Sequence, residues 1–267
     1  MARPPPDPQR LPPPVSAAIR RHPVRQVPIT QPLSWLARGW ADLWRCPLPG
    51  LLHGVVMAAF GALLLWLARD RFWLLAGAFS GFLLVAPLAA TGLYAVSRAL
   101  RDEGRAGIGT VLAAWHPRDT RLVRFGLLLA LAGTGWVLTS ASLVTGWAAA
   151  PVNTPLDFLR VVVLSSHSYL FELWLILGSA LAAPIFASTV VALPLLLDRS
   201  IAVHPAVLVS VRAALLNPGP MALWATLLLL ITLLGMATAL LGLVIAVPWL
   251  AHASWHAYTD LVEPEAP

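Results

Sequence analysis

Between its charged residues the chain leaves five long windows without a single Asp, Glu, Lys or Arg: residues 46–68, 72–97, 125–156, 173–197 and 213–259, which are 23, 26, 32, 25 and 47 residues long. A bilayer core about 30 Å thick takes some 20 residues of helix at about 1.5 Å each, so each of the first four windows accommodates one spanning helix. The fifth is too long for that. It holds a turn, Asn217-Pro218-Gly219-Pro220, followed by 31 uncharged and mostly apolar residues up to His252, with helical character continuing through Tyr258. Two spans turning near Gly242 account for this stretch, and one strongly tilted helix is the alternative. The expectation is an all-α fold: a polytopic transmembrane helical bundle of about six spans, near 48–68, 72–97, 125–149, 169–197, 221–241 and 243–260. Residues 1–31 read as a disordered, Pro- and Arg-rich tail, 32–262 as the membrane domain and 263–267 as a short acidic tail.

Composition agrees. Hydrophobic residues make up 58% of the 267 and charged ones 11%, against roughly 45–50% and about 25% in soluble domains. A mean hydropathy of +0.77 also excludes intrinsic disorder for the chain as a whole. All 18 basic side chains are Arg. With Lys absent and only two Asn present, this reads as the codon bias of a G+C-rich genome rather than as phosphate recognition. The sequence pI of 10.9 does not indicate nucleic acid either, because the arginines flank apolar runs instead of forming a patch. Seven lie in the N-terminal segment, six in 98–124 and two in 199–212, which puts 15 of 18 on one side of the expected spans. The positive-inside rule then places both termini in the cytoplasm. Cys46 is the only cysteine, so neither an intramolecular disulfide nor a cysteine metal box is available.

A weak internal repeat organises the chain into three hairpins. Segments 33–45, 107–116 and 205–216 are amphipathic, each ends at a proline-containing break, and each leads into an apolar helix. The second, fourth and sixth spans contain Pro87, Pro194 with Pro184, and Pro248. In 33–45, Leu33, Leu36, Trp40, Leu43 and Trp44 share one helical face while Ser34, Arg38, Asp42 and Arg45 project elsewhere, as expected of a helix lying in the headgroup plane. Trp35, Trp40, Trp44, Trp249 and Trp255 are expected to be interfacial anchors. Gly77 and Gly81, four apart in the second span, offer a surface for close helix packing.

Intramembrane ionisable residues are the default candidates for function. His252 and His256 stack on one helical face at a spacing that lets two imidazoles share a metal, and His53 and Asp198 come to a similar depth. Together with Tyr258 these form a candidate polar site, whose bland alternative is interfacial anchoring plus a histidine hydrogen-bonded in the bundle. No nucleophile elbow, phosphate-binding loop or zinc-protease motif occurs.

The segments VRQVP at 24–28, WLARGWADLW at 35–44, SGFLLVAPLAATGLYAVSR at 80–98 and HASWHAYTDLV at 252–262 resemble a bacterial family of predicted integral membrane proteins classed as a domain of unknown function. The likeness covers most of 24–262, and GLYAVSR and HASWHAY are its most specific parts. Thr259 stands where the resemblance implies Arg. Some members carry a label of cytochrome c oxidase subunit I, but such a catalytic subunit resembles a longer bundle with more histidines. The expected function is therefore that of an integral protein of the cytoplasmic membrane, non-enzymatic, which binds or transports a small solute or supports an envelope complex. The alternative is a metal- or haem-associated accessory to respiratory chemistry using His252, His256 and His53. Only that alternative calls for a cofactor. The expected partners are the lipid bilayer and a further copy of the chain or another membrane protein.

Overall fold

The computed structural model describes residues 20–67, 71, 75, 78, 90–114, 120–165 and 168–264. Among them the chain runs through ten helices: α1 (Gln31–Arg45), α2 (Pro47–Leu67), α3 (Thr91–Asp102), α4 (Ile108–Ala114), α5 (Thr120–Trp147), α6 (Leu170–Thr189), α7 (Ala192–Asp198), α8 (Val203–Leu216), α9 (Pro218–Ala237) and α10 (Leu243–Leu261). A short turn at Pro155–Asp157 leads into a single wide turn, Phe158–Val163, between α5 and α6. The described residues contain no strand, only an isolated bridge between Val24 and Val262. The fold is all-α, as the charge-free windows imply.

Proline sets most of the breaks. Pro47 and Pro218 open α2 and α9 immediately after Cys46 and Asn217, using the positions where a helix loses nothing by lacking an N–H. The three amphipathic segments are helices α1, α4 and α8, each placed ahead of a long apolar helix. The break between α6 and α7 falls at Val190 and Val191, four residues before Pro194, which cannot donate back to the Val190 carbonyl. Ser210 of α8 stitches it: its Oγ accepts from Val191 N–H at 3.0 Å and donates to Ala187 O at 2.7 Å.

Among the described residues, four helical segments are long and apolar enough to cross a membrane: Pro47–Leu67, Thr120–Trp147, Leu170–Asp198 and Pro218–Ala237. Only 22% of the α2 and α9 windows is buried, and Leu52, Val56, Leu128, Ile176 and Leu234 stand exposed on these four segments, as lipid-facing side chains do. The protein sits in a lipid bilayer. Most of the second expected span, with Gly77 and Gly81, lies outside the described residues. Its last residues begin α3, where Thr91 to Ser97 are all buried. The region of the sixth expected span is α10, a continuous helix entered through a turn at Thr238–Gly242 in which Ala239 and Leu240 take positive φ. This helix is mostly buried and forms the centre of the packing, with its largest contacts on α1 and α2 and further ones on α3 and α9.

The first and last described segments meet. Arg25 N–H donates to Leu261 O at 2.8 Å and Glu263 N–H to Pro23 O at 3.0 Å. Asn217, buried at the α8–α9 corner, clamps the same strap: its Oδ1 accepts from Val27 N–H, and its Nδ2 donates to Arg25 O and Ala213 O. A second clamp is Arg121 of α5, whose guanidinium donates to the carbonyls of Leu196, Arg199 and Ile201 at the end of α7. These are the orphan acceptors of a helix C-terminus, and a cation there also meets the negative end of the helix dipole. Arg121→Met is expected to cost about 2 kcal/mol, in the range of charged hydrogen bonds, as a loss of thermal stability in detergent. Arg121→Lys, without the planar fork, should restore only part of it.

Candidate functional site

Helix α1 presents a different face to the core from the one its leucines and tryptophans suggest. Trp35, Leu36, Gly39, Asp42 and Leu43 are buried, whereas Leu33, Trp40 and Trp44 are exposed. Asp42, expected to project away from the packed face, points into it. The reason is that Gly39 allows α1 to lie backbone to backbone on Ala253 of α10, which turns the Asp42 edge inward where His256 and Ser97 wait. Two expected anchors are corrected in the same way. Trp35 is fully buried, packed edge to face on Trp224 at 5.6 Å, and donates to Asp260 at 2.9 Å. Trp255 is buried beneath Arg101, whose guanidinium lies 5.3 Å above its ring. Trp40 and Trp44 remain exposed and pack together, and Trp40 meets half-buried Trp249 edge to face, the latter donating to Leu36 O.

The candidate polar residues resolve into two clusters on different neighbours of α10. In the first, His256 Nε2 lies 2.9 Å from Asp42 Oδ2, Ser97 Oγ donates to the same oxygen at 2.8 Å, and His252 Nδ1 lies 2.8 Å from Ser97 Oγ. His53 of α2 is buried close enough to bear electrostatically on His252. Burial acts to raise the Asp42 carboxyl, and the hydrogen bonds from His256 and Ser97 with the electrostatic pull of the two nearby imidazoles outweigh it, holding the group below its ordinary 3.8. In the second cluster Tyr258 donates to Asp198 at 2.7 Å, with Arg101 at 3.5 Å and Arg199 at 3.9 Å from the same carboxylate. Arg38 of α1 pairs with Asp260 one turn further on, where Gln31 also donates at 2.7 Å.

His252 and His256 do share a side of α10, but Asp42 and Ser97 stand between them. His256 commits Nε2 to the carboxylate and His252 commits Nδ1 to the hydroxyl, so the pair does not converge on one point. Among the described residues no three His, Cys, Asp or Glu side chains group to hold a metal ion. Sequence reasoning missed Ser97 and Asp42 as the centre of this cluster. No local signal marked them, since Arg38 and Arg45 stand at helical spacing from Asp42 in its own helix and offer it nearer partners by sequence.

A separate feature is a cavity of about 620 Å³ enclosed by α3, α6, α8, α9 and α10. Phe186, Met221, Trp224, Leu228 and Leu250 give it an apolar wall, with Tyr94 and Ser254 adding hydroxyl groups. α6 packs on α8 and α9 packs on α10; the lining residues Ser179 and Ala183 of α6 and Leu229 of α9 are exposed. Its mouth therefore lies between two helices of membrane-spanning character. The indole N–H of Trp224 is buried and has no acceptor.

Residues 74–198 match the family described as "Predicted integral membrane protein (DUF2189)". This agrees with the family resemblance seen in the sequence, over a shorter stretch that includes Ser97 and Asp198 but not α1 or α10. No curated protein and no solved structure matches the chain.

Proposed function

We propose that this chain, whose central part is matched by a family of predicted integral membrane proteins, is a non-enzymatic binding protein of the cytoplasmic membrane. Its site is the cavity between α6 and α9, and its ligand is a lipid-derived molecule with an apolar chain. The carrying observation is the combination of an apolar lining and a mouth between spanning helices. The volume falls within the roughly 300–1,000 Å³ of ordinary ligand pockets.

Two further considerations support this setting. The bridge between residues 24 and 262 supports an even number of crossings between them, and the arginine distribution supports a cytoplasmic location for that shared face. The test is thermal stabilisation of the purified protein by oleate. Wild type is expected to be stabilised, and Ala183→Trp, which plugs the mouth from α6, is expected to lose at least tenfold in apparent affinity. Equal stabilisation of both proteins, or none of either, overturns the reading.

A further inference from the structure

Proton counting gives the cluster His252, Ser97, Asp42 and His256 a direction. An ionised carboxylate only accepts hydrogen bonds, and a serine hydroxyl has one proton to donate. Ser97 Oγ lies 2.8 Å from Asp42 Oδ2 and 2.8 Å from His252 Nδ1. Its proton goes to the carboxylate, and its oxygen accepts from Nδ1–H. A neutral His252 thus carries its proton on Nδ1 and leaves Nε2 as a bare lone pair. That atom is buried and without a hydrogen-bond partner, and it looks toward Gly50 of α2, where even an added Cβ would stand 3.8 Å away. At the other end, the His256 side chain keeps 18% of its surface accessible.

We propose that Nε2 of His252 is a proton-binding site inside the bundle, wired through Ser97 to the Asp42 carboxylate. A proton arriving at Nε2 forms the N–H bond of an imidazolium. The Nδ1–H bond then breaks as its proton passes to Ser97 Oγ, while the original Ser97 proton passes to Asp42 Oδ2. The cluster has gained one proton, held as neutral Asp42 beside a His252 now protonated on Nε2, and no electron has moved. Release reverses the same transfers through Ser97, because His256 already donates its Nε2–H to Asp42 Oδ2 and has no lone pair there to receive the proton.

The arginines that face α10 from its neighbours are paired elsewhere. Around α10, α1 contributes Asp42 and Arg38, α2 contributes His53, α3 contributes Arg101 and α7 contributes Asp198, while His256 and Asp260 belong to α10 itself. Arg38 is paired with Asp260, and Arg101 with Asp198, which also receives the Tyr258 hydroxyl. The relay is independent of the lipid-binding cavity and stands or falls without it.

The experiment is solid-state nitrogen NMR of the full chain in lipid bilayers, with carbonyl-labelled Ala and nitrogen-labelled His. Ala251-His252 is the only Ala-His step in the sequence, so His252 is assigned without any substitution. At neutral pH the expected spectrum has His252 as the Nδ1–H tautomer, with the Nε2 resonance moving to the protonated position on acidification. Ser97→Ala, which removes the acceptor that fixes the tautomer, is expected to give a mixture of the two. An Nε2–H tautomer in wild type at neutral pH overturns the proposal. So does an Nε2 resonance that stays unprotonated down to the acid limit of the folded state, or a pure Nδ1–H tautomer in the serine variant.

Discussion

Gly54→Ala is expected to be among the most damaging single-methyl additions to this protein, with a loss of about 3 kcal/mol or more, at or beyond the upper end for overpacking. A Cβ at position 54 would lie 2.1 Å from the carbonyl oxygen of Val244 and 2.6 Å from its Cα. These are backbone atoms of α10 and have no rotamer through which to retreat. The closeness has a chemical cause. Pro248 has no N–H, so the Val244 carbonyl lacks the helical donor four residues ahead, and a glycine Cα can approach it as no other residue can. Gly39→Ala meets Ala253 N at 2.5 Å in the same manner. Gly135→Ala, with nothing within 4 Å, is the control, expected to be neutral or to gain up to about 1 kcal/mol in helix propensity. Thermal unfolding in detergent ranks the three; a Gly54 variant as stable as the Gly135 control would show that α2 and α10 are not in backbone contact.

Asp42→Ala carries the second large effect. It strips the shared acceptor from His256 and Ser97 and leaves buried donors unanswered, at a cost of about 3 kcal/mol or more. The pH dependence follows with a definite sign. The Asp42 carboxyl is depressed below its ordinary 3.8 in the folded protein. Its contribution is therefore fully present above that ordinary value and is lost as the pH falls through the lower, folded one. Wild type should lose stability on acidification below about pH 4, and Asp42→Asn should show a flatter profile across the same range. Parallel profiles for the two proteins would remove Asp42 from the account.

The helical, membrane-embedded character was legible because it rests on long apolar windows, a property of composition that neighbours cannot alter. The helices before α2, α5 and α9 were legible because a proline-containing break is local, although α8, read as amphipathic, is an apolar helix. What escaped was the direction of each face. In α1, periodicity set Asp42 apart from the apolar face and counted Trp35 as an anchor with Trp40 and Trp44, because an interfacial tryptophan and a core tryptophan look alike in sequence; Trp35 is core and Asp42 faces it. Gly39, against which α10 lies, decides between them. The small-residue rule was sound but went to Gly77 and Gly81, outside the described residues. Gly50 and Gly54 have the same spacing in α2 and make the close approach to α10 that the structure displays. Of the polar candidates, the grouping of His252 and His256 on one side of α10 was readable from a spacing of four. Ser97 and Asp42 were not, since they come from helices more than fifty residues apart and nothing local marks them as partners.

The central helix is also the last of the ten along the chain, and this fixes an order of events during synthesis. A nascent protein has made α1, α2 and α3 long before α10 emerges. Until it does, Gly39 and Gly54 face no mate, Asp42 has one donor at most, and the Val24 strap has only Asn217 to hold it. Each earlier hairpin must therefore wait in the bilayer as an unfinished half-interface. A chain stopped short of Val262 would lack the keystone of the whole arrangement rather than one helix among many, and a cell's quality-control proteases would meet it as an open, polar-cored intermediate.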